Sequence, residues 1–144
     1  MRQIYSRLAK SGVVFLCFLF TSCKEDTHPV PNVPVNISIN LDLPSYQPLN
    51  APGGWVYVDG GSRGIVVYRN FDEFVALDRH STYNSDDPNA IVMVDSNNYF
   101  ELVDTTSGSR YSITSGVVIE GPATFALRRY NTTWNGSYTV NIYN

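Results

Sequence analysis

The chain has 144 residues, a formal charge of −3 and only two cysteines, Cys17 and Cys23. Its acidic balance argues against binding nucleic acid, whose phosphates require a basic surface. Because no cysteine lies beyond residue 23, the chain after it has no disulfide, thiolate metal site or cysteine nucleophile.

The first 22 residues have the features of a secretory signal peptide. Three basic residues precede an apolar run over 13–20, which is too short to span a bilayer as a helix. The run ends in Phe20-Thr21-Ser22-Cys23, which resembles the lipobox of bacterial lipoproteins. This resemblance implies cleavage before Cys23 and a membrane anchor of fatty acyl chains, such as palmitate, on Cys23. The alternative is an ordinary secreted protein in which Cys23 is incidental.

The residues directly after Cys23 indicate where the protein is located. Lys24-Glu25-Asp26 resembles the export signal that sends Bacteroidetes lipoproteins to the outer face of the outer membrane, although it could be only a charged tether. We therefore predict a lipid-anchored protein of the outer membrane, on the cell surface or on the periplasmic face. Residues 23–34 contain three prolines and little that could be buried, so they are predicted to be a spacer, with a solvated His28, before a domain over 35–144. Loss of residues 1–22 removes three of the ten basic residues and no acid, so the charge becomes −6.

The first part of the domain has the patterns of strands. Alternating apolar and polar residues predict a half-buried strand over 35–43, and a loop rich in proline and glycine follows over 44–54. Strands are predicted at 55–59 and 65–69, on either side of a hairpin connection. Residues 71–78 could form two helical turns, but their alternation favours a turn followed by a strand.

The second part of the domain consists of short apolar segments between turns. After a polar loop over 79–89, strands are predicted at 91–94, 99–103, 110–113, 117–120, 125–130 and 138–142. Asn135-Gly136 predicts the turn of the last hairpin. Many short strands without a clear helix indicate an all-β sandwich or barrel.

Residues 53–130 resemble the Rieske-like proteins, the iron–sulfur protein fold, of the type found in Bacteroidetes lipoproteins. Three stretches in order carry the resemblance: 64–69 with 74–79, then 108–112 with 116–118, and last Gly121-Pro122-Ala123 with Leu127 and Tyr130. The resemblance implies a small antiparallel sandwich or barrel of the Rieske-like type. It also implies two loops that hold a two-iron two-sulfur cluster through cysteine and histidine.

The expected cluster ligands are replaced in this chain. The resemblance places Ser81 and Tyr83 at the ligand positions of the first loop, and Asp104 and Ser107 at those of the second. Iron–sulfur clusters need thiolate or imidazole ligands, for which oxygen side chains are poor substitutes. We therefore predict a vestigial site with no cluster and no other cofactor.

Two other chemistries have weaker support. Asp78, Asp86, Asp87 and Asp104 could meet around a calcium ion, but they lack a fixed-spacing calcium motif and are more simply solvated loop acids. A Ser-His-Asp set of Ser81, His80 and Asp78 would be built from near neighbours that point apart. No catalytic or metal-binding residue is therefore predicted.

These observations predict a non-enzymatic outer-membrane lipoprotein whose cluster-free Rieske-like domain is a binding or structural module. One alternative is a Rieske-type electron carrier of an oxidoreductase system. A second is a surface lipoprotein that binds a glycan or a protein, for which Tyr83 and Trp134 are candidate contact residues. The expected partners are the membrane, through Cys23, and an unknown protein or glycan.

Overall fold

The computed structural model describes residues 27–144. The predicted signal peptide and Cys23 lie outside the described residues. Within the described part of the chain, no helix is long and apolar enough to cross a membrane.

Ten strands and one short 3-10 helix (η1) make up the domain. In chain order they are β1 (Asn36–Asn40), η1 (Pro44–Asn50), β2 (Trp55–Val58), β3 (Ile65–Asn70), β4 (Glu73–Asp78), β5 (Val92–Val94), β6 (Glu101–Asp104), β7 (Arg110–Ser112), β8 (Val118–Glu120), β9 (Arg129–Trp134) and β10 (Thr139–Tyr143). All the strand pairs named below are antiparallel.

The strands form a large sheet and a small sheet. The large sheet has the order β1-β10-β9-β4-β3-β2, and the small sheet has the order β5-β6-β7-β8. The small sheet is therefore inserted in the chain between β4 and β9 of the large one. This insertion carries the two loops that the sequence singles out, one before β5 and one between β6 and β7.

Strands β3 and β4 lie between two hydrophobic cores. Ile65, Val67, Phe74 and Ala76 face a core shared with β1 and β10. The intervening residues face a second core, which the small sheet supplies with Val92, Leu102 and Tyr111: they are Val66, Tyr68, Val75 and Leu77. Burial on both faces explains why Ile65–Tyr68 and Phe74–Leu77 are unbroken apolar runs instead of alternating patterns.

The prediction of an all-β antiparallel domain is confirmed, and each predicted strand is present with altered ends. The predicted hairpin at 60–64 joins β2 to β3, which pair from Trp55↔Tyr68 to Val58↔Ile65. The predicted turn before β4 is also present, with exposed Phe71 at φ 54°. The sequence pattern thus identified the strands, because each strand has at least one face in a core.

Two predictions depart further from the structure. Residues 44–50, expected to be loop, form η1, where Pro44 begins the helix and buried Leu49 fixes it to the core. The strand expected at 125–130 begins only at Arg129 and continues to Trp134. Tyr130, Thr132 and Trp134 alternate inward there, but their polar neighbours and two threonines obscured the apolar pattern.

The stretch 27–34 contacts the domain, contrary to the expectation that little of the predicted spacer could be buried. Val30 is fully buried, and its carbonyl accepts a hydrogen bond from the guanidinium of Arg128. A ring nitrogen of His28, expected to be solvated, lies 3.0 Å from the carbonyl oxygen of Ala126. These partners are 98 residues away in sequence, so local composition could not reveal the contact.

Candidate functional site

The structure brings the two predicted loops together. Tyr83 from the first loop and Asp104 and Ser107 from the second line one small cavity of about 130 Å³. The fourth predicted position, Ser81, is fully buried and is not among the lining residues. Three of the four positions thus share one cavity, although they are 24 residues apart in sequence at their furthest.

Ser81 is tied to the small sheet through Tyr111. The Tyr111 hydroxyl lies 3.2 Å from the Ser81 hydroxyl and 3.1 Å from that of Thr82. Thr82 in turn donates to the carbonyl of Phe125 at 2.6 Å. Because all three hydroxyls are buried, this network joins the first loop to β7 and to the segment before β9.

Removing the Tyr111 hydroxyl should loosen this network. We expect Tyr111→Phe to lower the free energy of unfolding by about 1–2 kcal/mol, because two buried hydroxyls lose a partner. Urea denaturation measures the change. Tyr138→Phe, at an exposed tyrosine, is the control and should remain within about 0.5 kcal/mol of wild type. A loss of equal size in both variants would contradict the role given to Tyr111.

Asp104 closes the turn between β6 and β7. Its carboxylate accepts hydrogen bonds from the Thr106 backbone N–H at 2.9 Å and from the Ser107 hydroxyl at 2.7 Å. Gly108, at φ 78°, completes the turn and donates to the Asp104 carbonyl. Aspartate followed by a left-handed glycine is a common turn pattern, so the sequence Asp-Thr-Thr-Ser-Gly has a structural explanation.

The predicted Gly121-Pro122-Ala123 loop lies against the second loop. Its Gly121–Pro122 peptide is cis, and the Ala123 N–H donates to the Ser109 hydroxyl at 3.1 Å. The hydroxyl oxygens of Ser109 and Ser107 also lie 2.9 Å apart. Three loops are thus joined by hydroxyl and backbone groups around the small cavity.

A buried carboxylate at the end of β4 holds the base of the first loop. Asp78 is fully buried and accepts four hydrogen bonds, two of them from the Ser62 N–H and the Tyr130 hydroxyl, each at 2.7 Å. The backbone N–H groups of Arg63 and His80 supply the other two. Burial and the neighbouring Asp78 carboxylate raise the pKa of Tyr130 well above its usual value, so this hydroxyl remains a donor.

His80 is hydrogen-bonded within the protein and does not belong to a catalytic triad with Ser81. Its Nδ1 lies 2.7 Å from the Ser62 hydroxyl, and its Nε2 lies 2.7 Å from the Ser85 carbonyl. Asp78 contacts its backbone N–H and not its ring. The Ser81–His80–Asp78 arrangement considered from the sequence is therefore not formed.

The burial of His80 predicts a pH dependence of stability. Burial is the main reason why the pKa of His80 is lowered, so the folded chain binds fewer protons at this ring than the unfolded chain does. The free energy of unfolding should therefore fall as the pH drops below about 6.5, by at most ~1.4 kcal/mol per pH unit for this one proton.

Urea denaturation between pH 5 and 8 measures this slope, and His80→Gln should make it shallower. Hydrogen bonds from the Asn97 N–H and from Arg110 lower the pKa of Asp95, but a carboxylate of lowered pKa contributes only below about pH 5. Stability that is unchanged or rises toward pH 5 in the wild-type chain would contradict the prediction.

Arg63 is a site residue that the sequence did not reveal. Its guanidinium donates to the backbone carbonyls of Asp87 and Ala90 through Nη1 and of Ser85 through Nη2. One side chain in the β2–β3 hairpin thus holds the first loop across more than 20 residues of sequence. Nothing in the segment Gly-Gly-Ser-Arg-Gly indicates that Arg63 contacts a loop so distant in sequence.

The other candidate groups do not converge on the cavity. Within residues 27–144 no three or more His, Cys, Asp or Glu side chains are placed to hold a metal ion, so Asp78, Asp86, Asp87 and Asp104 do not assemble into a calcium site. Tyr83 is 42% exposed beside the small cavity. Trp134 lines a different cleft, so Tyr83 and Trp134 do not line the same cavity.

Two solved structures are similar to most of this chain. The ferredoxin of carbazole 1,9a-dioxygenase from Nocardioides aromaticivorans IC177 is 16% identical, with a TM-score of 0.50, over 76% of this chain and 96% of that one. A complex of reduced oxygenase and oxidized ferredoxin in carbazole 1,9a-dioxygenase contains a chain that is 17% identical, with a TM-score of 0.50, over 78% and 94%.

At this level of identity the likeness shows the fold alone, and the predicted Rieske-like fold is confirmed. No protein-family model matches the chain, and no curated protein matches it.

The residues present do not fit a two-iron two-sulfur cluster. Such a cluster needs four thiolate or imidazole ligands, and the chain has no cysteine beyond residue 23. Both ring nitrogens of His80 already have partners. The four expected positions carry oxygen ligands, and Asp104, Ser81 and Ser107 are bonded within the protein. Hard oxygen donors of this kind are unsuited to sulfide-bridged iron.

Proposed function

We propose that this protein is a lipid-anchored outer-membrane protein whose Rieske-like domain lacks a cluster and acts as a non-enzymatic binding module. One observation carries the proposal: oxygen side chains occupy all four expected ligand positions, and three of them are hydrogen-bonded within the protein, Ser81 to Tyr111 of β7 and Asp104 to Ser107. Those bonds close the loops without a metal. The domain therefore keeps its shape while lacking the groups that electron transfer through a cluster requires.

Spectroscopy of the full-length protein tests the cluster-free part of the proposal. Protein purified without oxygen should be colourless and should give no iron–sulfur electron paramagnetic resonance signal after reduction with dithionite. A red-brown protein with such a signal would support the alternative of a Rieske-type electron carrier.

The lipid anchor rests on the lipobox-like sequence before Cys23. Mass spectrometry of the N-terminal peptide should find residues 1–22 removed and acyl chains on Cys23. Cys23→Ser should abolish both changes, so that no cleaved and acylated protein is found in the outer-membrane fraction. An unmodified Cys23 in membrane-bound protein would contradict this part of the proposal.

The side of the outer membrane is a separate question. Lys24-Glu25-Asp26 resembles a signal for the cell surface, and a plain charged tether on the periplasmic face is the equal alternative. Protease treatment of intact cells distinguishes them, because only a surface-exposed domain is digested before the cells are broken.

A further inference from the structure

We propose that the cleft between β4 and β9 is a binding site for a neutral oligosaccharide. The inference rests on the proposed function and extends it, since it assigns a site and a ligand class to the binding module. The β4–β9 cleft lies outside the three loops around the small cavity.

The cleft exists because two neighbouring strands stop pairing. β4 and β9 are paired only at Ala76↔Tyr130 and Leu77↔Arg129. Beyond these pairs the strands leave a cavity of about 590 Å³, within the usual range for small-molecule sites. Its polar and aromatic lining includes Asp72, Glu73, Arg129, Asn131, Trp134 and Tyr143.

Several polar side chains in the cleft have no partner within the protein. Among residues 27–144, the structure records no hydrogen bond or ion pair for the side chains of Asp72, Glu73, Arg129 or Asn131. Arg129 is an exception among the arginines of this part of the chain. The others each have a recorded partner: Arg63, Arg69, Arg79, Arg110 and Arg128. All four side chains are exposed, so water satisfies them in the free protein and a ligand can replace that water.

The chemistry of these groups matches a ligand with many hydroxyls. Two carboxylates accept hydrogen bonds, whereas a guanidinium donates them and an amide and a phenol do both. A hydroxyl both donates and accepts, so a saccharide can satisfy neighbouring groups of either kind. Asp72, Glu73 and Arg129 line the cleft with a formal charge of −1, and Arg69, which lies against Trp134 at its end, brings the total to zero, so the site suits a neutral ligand.

A rigid aromatic side chain lies at one end of the cleft. Trp134 meets Phe74 edge to face, with ring centroids 5.5 Å apart, and the Arg69 guanidinium lies 4.9 Å from its centroid. Because these contacts hold the half-buried indole in place, the part of it that remains exposed can contact an apolar ligand face at little entropic cost. The C–H face of a pyranose ring is such a surface.

The same geometry excludes an inserted peptide strand. The Thr132 hydroxyl donates to the Phe74 carbonyl across the cleft at 2.6 Å. A strand lying between β4 and β9 would need them about 9.5 Å apart, twice the usual strand spacing. The ligand must therefore lie along the outer part of the cleft, where the unpartnered side chains are.

Isothermal titration calorimetry on the full-length protein, in a detergent without a sugar headgroup, tests the site. The probes are the neutral trisaccharides maltotriose, cellotriose, mannotriose and xylotriose. We expect at least one to bind, and Glu73→Gln and Arg129→Met each to weaken its binding about tenfold or more, as for a lost hydrogen bond to a charged group. Glu120→Gln, at an exposed acid outside the cleft, is the matched control and should bind as wild type does.

Three results would overturn the inference. The first is that none of the four trisaccharides binds, and the second is that one binds but neither cleft variant weakens its binding. The third is that tetralysine binds and the trisaccharides do not, which would indicate a site for cationic peptides. Thermal unfolding of each variant shows that it is folded. An iron-free protein that binds none of the trisaccharides refutes the oligosaccharide site alone, whereas a cluster-containing protein that binds one refutes the cluster-free proposal alone.

Discussion

Asp78→Ala is expected to lower the free energy of unfolding by about 3–5 kcal/mol, because four donors lose a buried, charged acceptor. The Asp78 carboxylate is fully buried and accepts four hydrogen bonds. Its loss leaves the Tyr130 hydroxyl and three backbone N–H groups without their acceptor. Urea denaturation at pH 7 measures the effect.

Two further variants make this prediction specific. Asp59→Ala removes an exposed acid at the end of β2 and should change stability by less than about 0.5 kcal/mol. Tyr130→Phe removes only one of the four donors and should cost about 1–2 kcal/mol. If Asp78→Ala costs no more than Asp59→Ala, the carboxylate does not hold the hairpin and the first loop together.

Gly61→Ala is expected to destabilise the chain by about 2–4 kcal/mol. Gly61 has φ 62°, a conformation that costs a residue with a side chain about 1 kcal/mol or more. An added Cβ would lie 2.5 Å from Asp78 Oδ2 and 2.6 Å from the Tyr130 hydroxyl, so it would also displace the hydrogen bond between them. The midpoint of urea unfolding measures the combined cost.

The variant Gly136→Ala distinguishes the backbone cost from the cost of the close contact. Gly136 has φ 76°, but an added Cβ there would meet no atom within 4 Å, so Gly136→Ala should show the backbone cost alone, about 1 kcal/mol. Equal losses at Gly61 and Gly136 would show that the close approach to Asp78 has no energetic consequence.

The strands could be predicted from the sequence because their patterns reflect local burial. In β1, Ile39 faces the core while Ser38 and Asn40 face outward, which gives the alternation expected of a half-buried strand. In β3 both faces are buried, and the run Ile65–Tyr68 is continuous instead. Either pattern is sufficient to identify a strand between turns rich in glycine and asparagine.

The contacts that hold the loops could not be predicted in the same way. Arg63 reaches three carbonyls in the first loop, and Arg128 reaches Val30 from 98 residues away. Such bonds depend on the separation of side chains in space, and nothing in the neighbouring sequence marks an arginine as bonded to a distant carbonyl.

Only part of the candidate site could be predicted from the sequence. The resemblance led to Tyr83, Asp104 and Ser107, which the structure brings to one cavity. It did not lead to the β4–β9 cleft, which depends on pairing that ends after two residue pairs. Arg129 and Asn131 look like ordinary surface residues of a strand, and only the divergence of β4 from β9 gives them a cavity to line.

The most direct test of a Rieske-like scaffold without a cluster is the iron and acid-labile sulfide content of the full-length protein. The protein should be expressed with added iron and purified without oxygen, beside a ferredoxin that assembles a two-iron two-sulfur cluster under the same conditions. The oxygen side chains at Ser81, Tyr83, Asp104 and Ser107 predict neither iron nor sulfide above background. Two irons and two sulfides per chain would contradict this account.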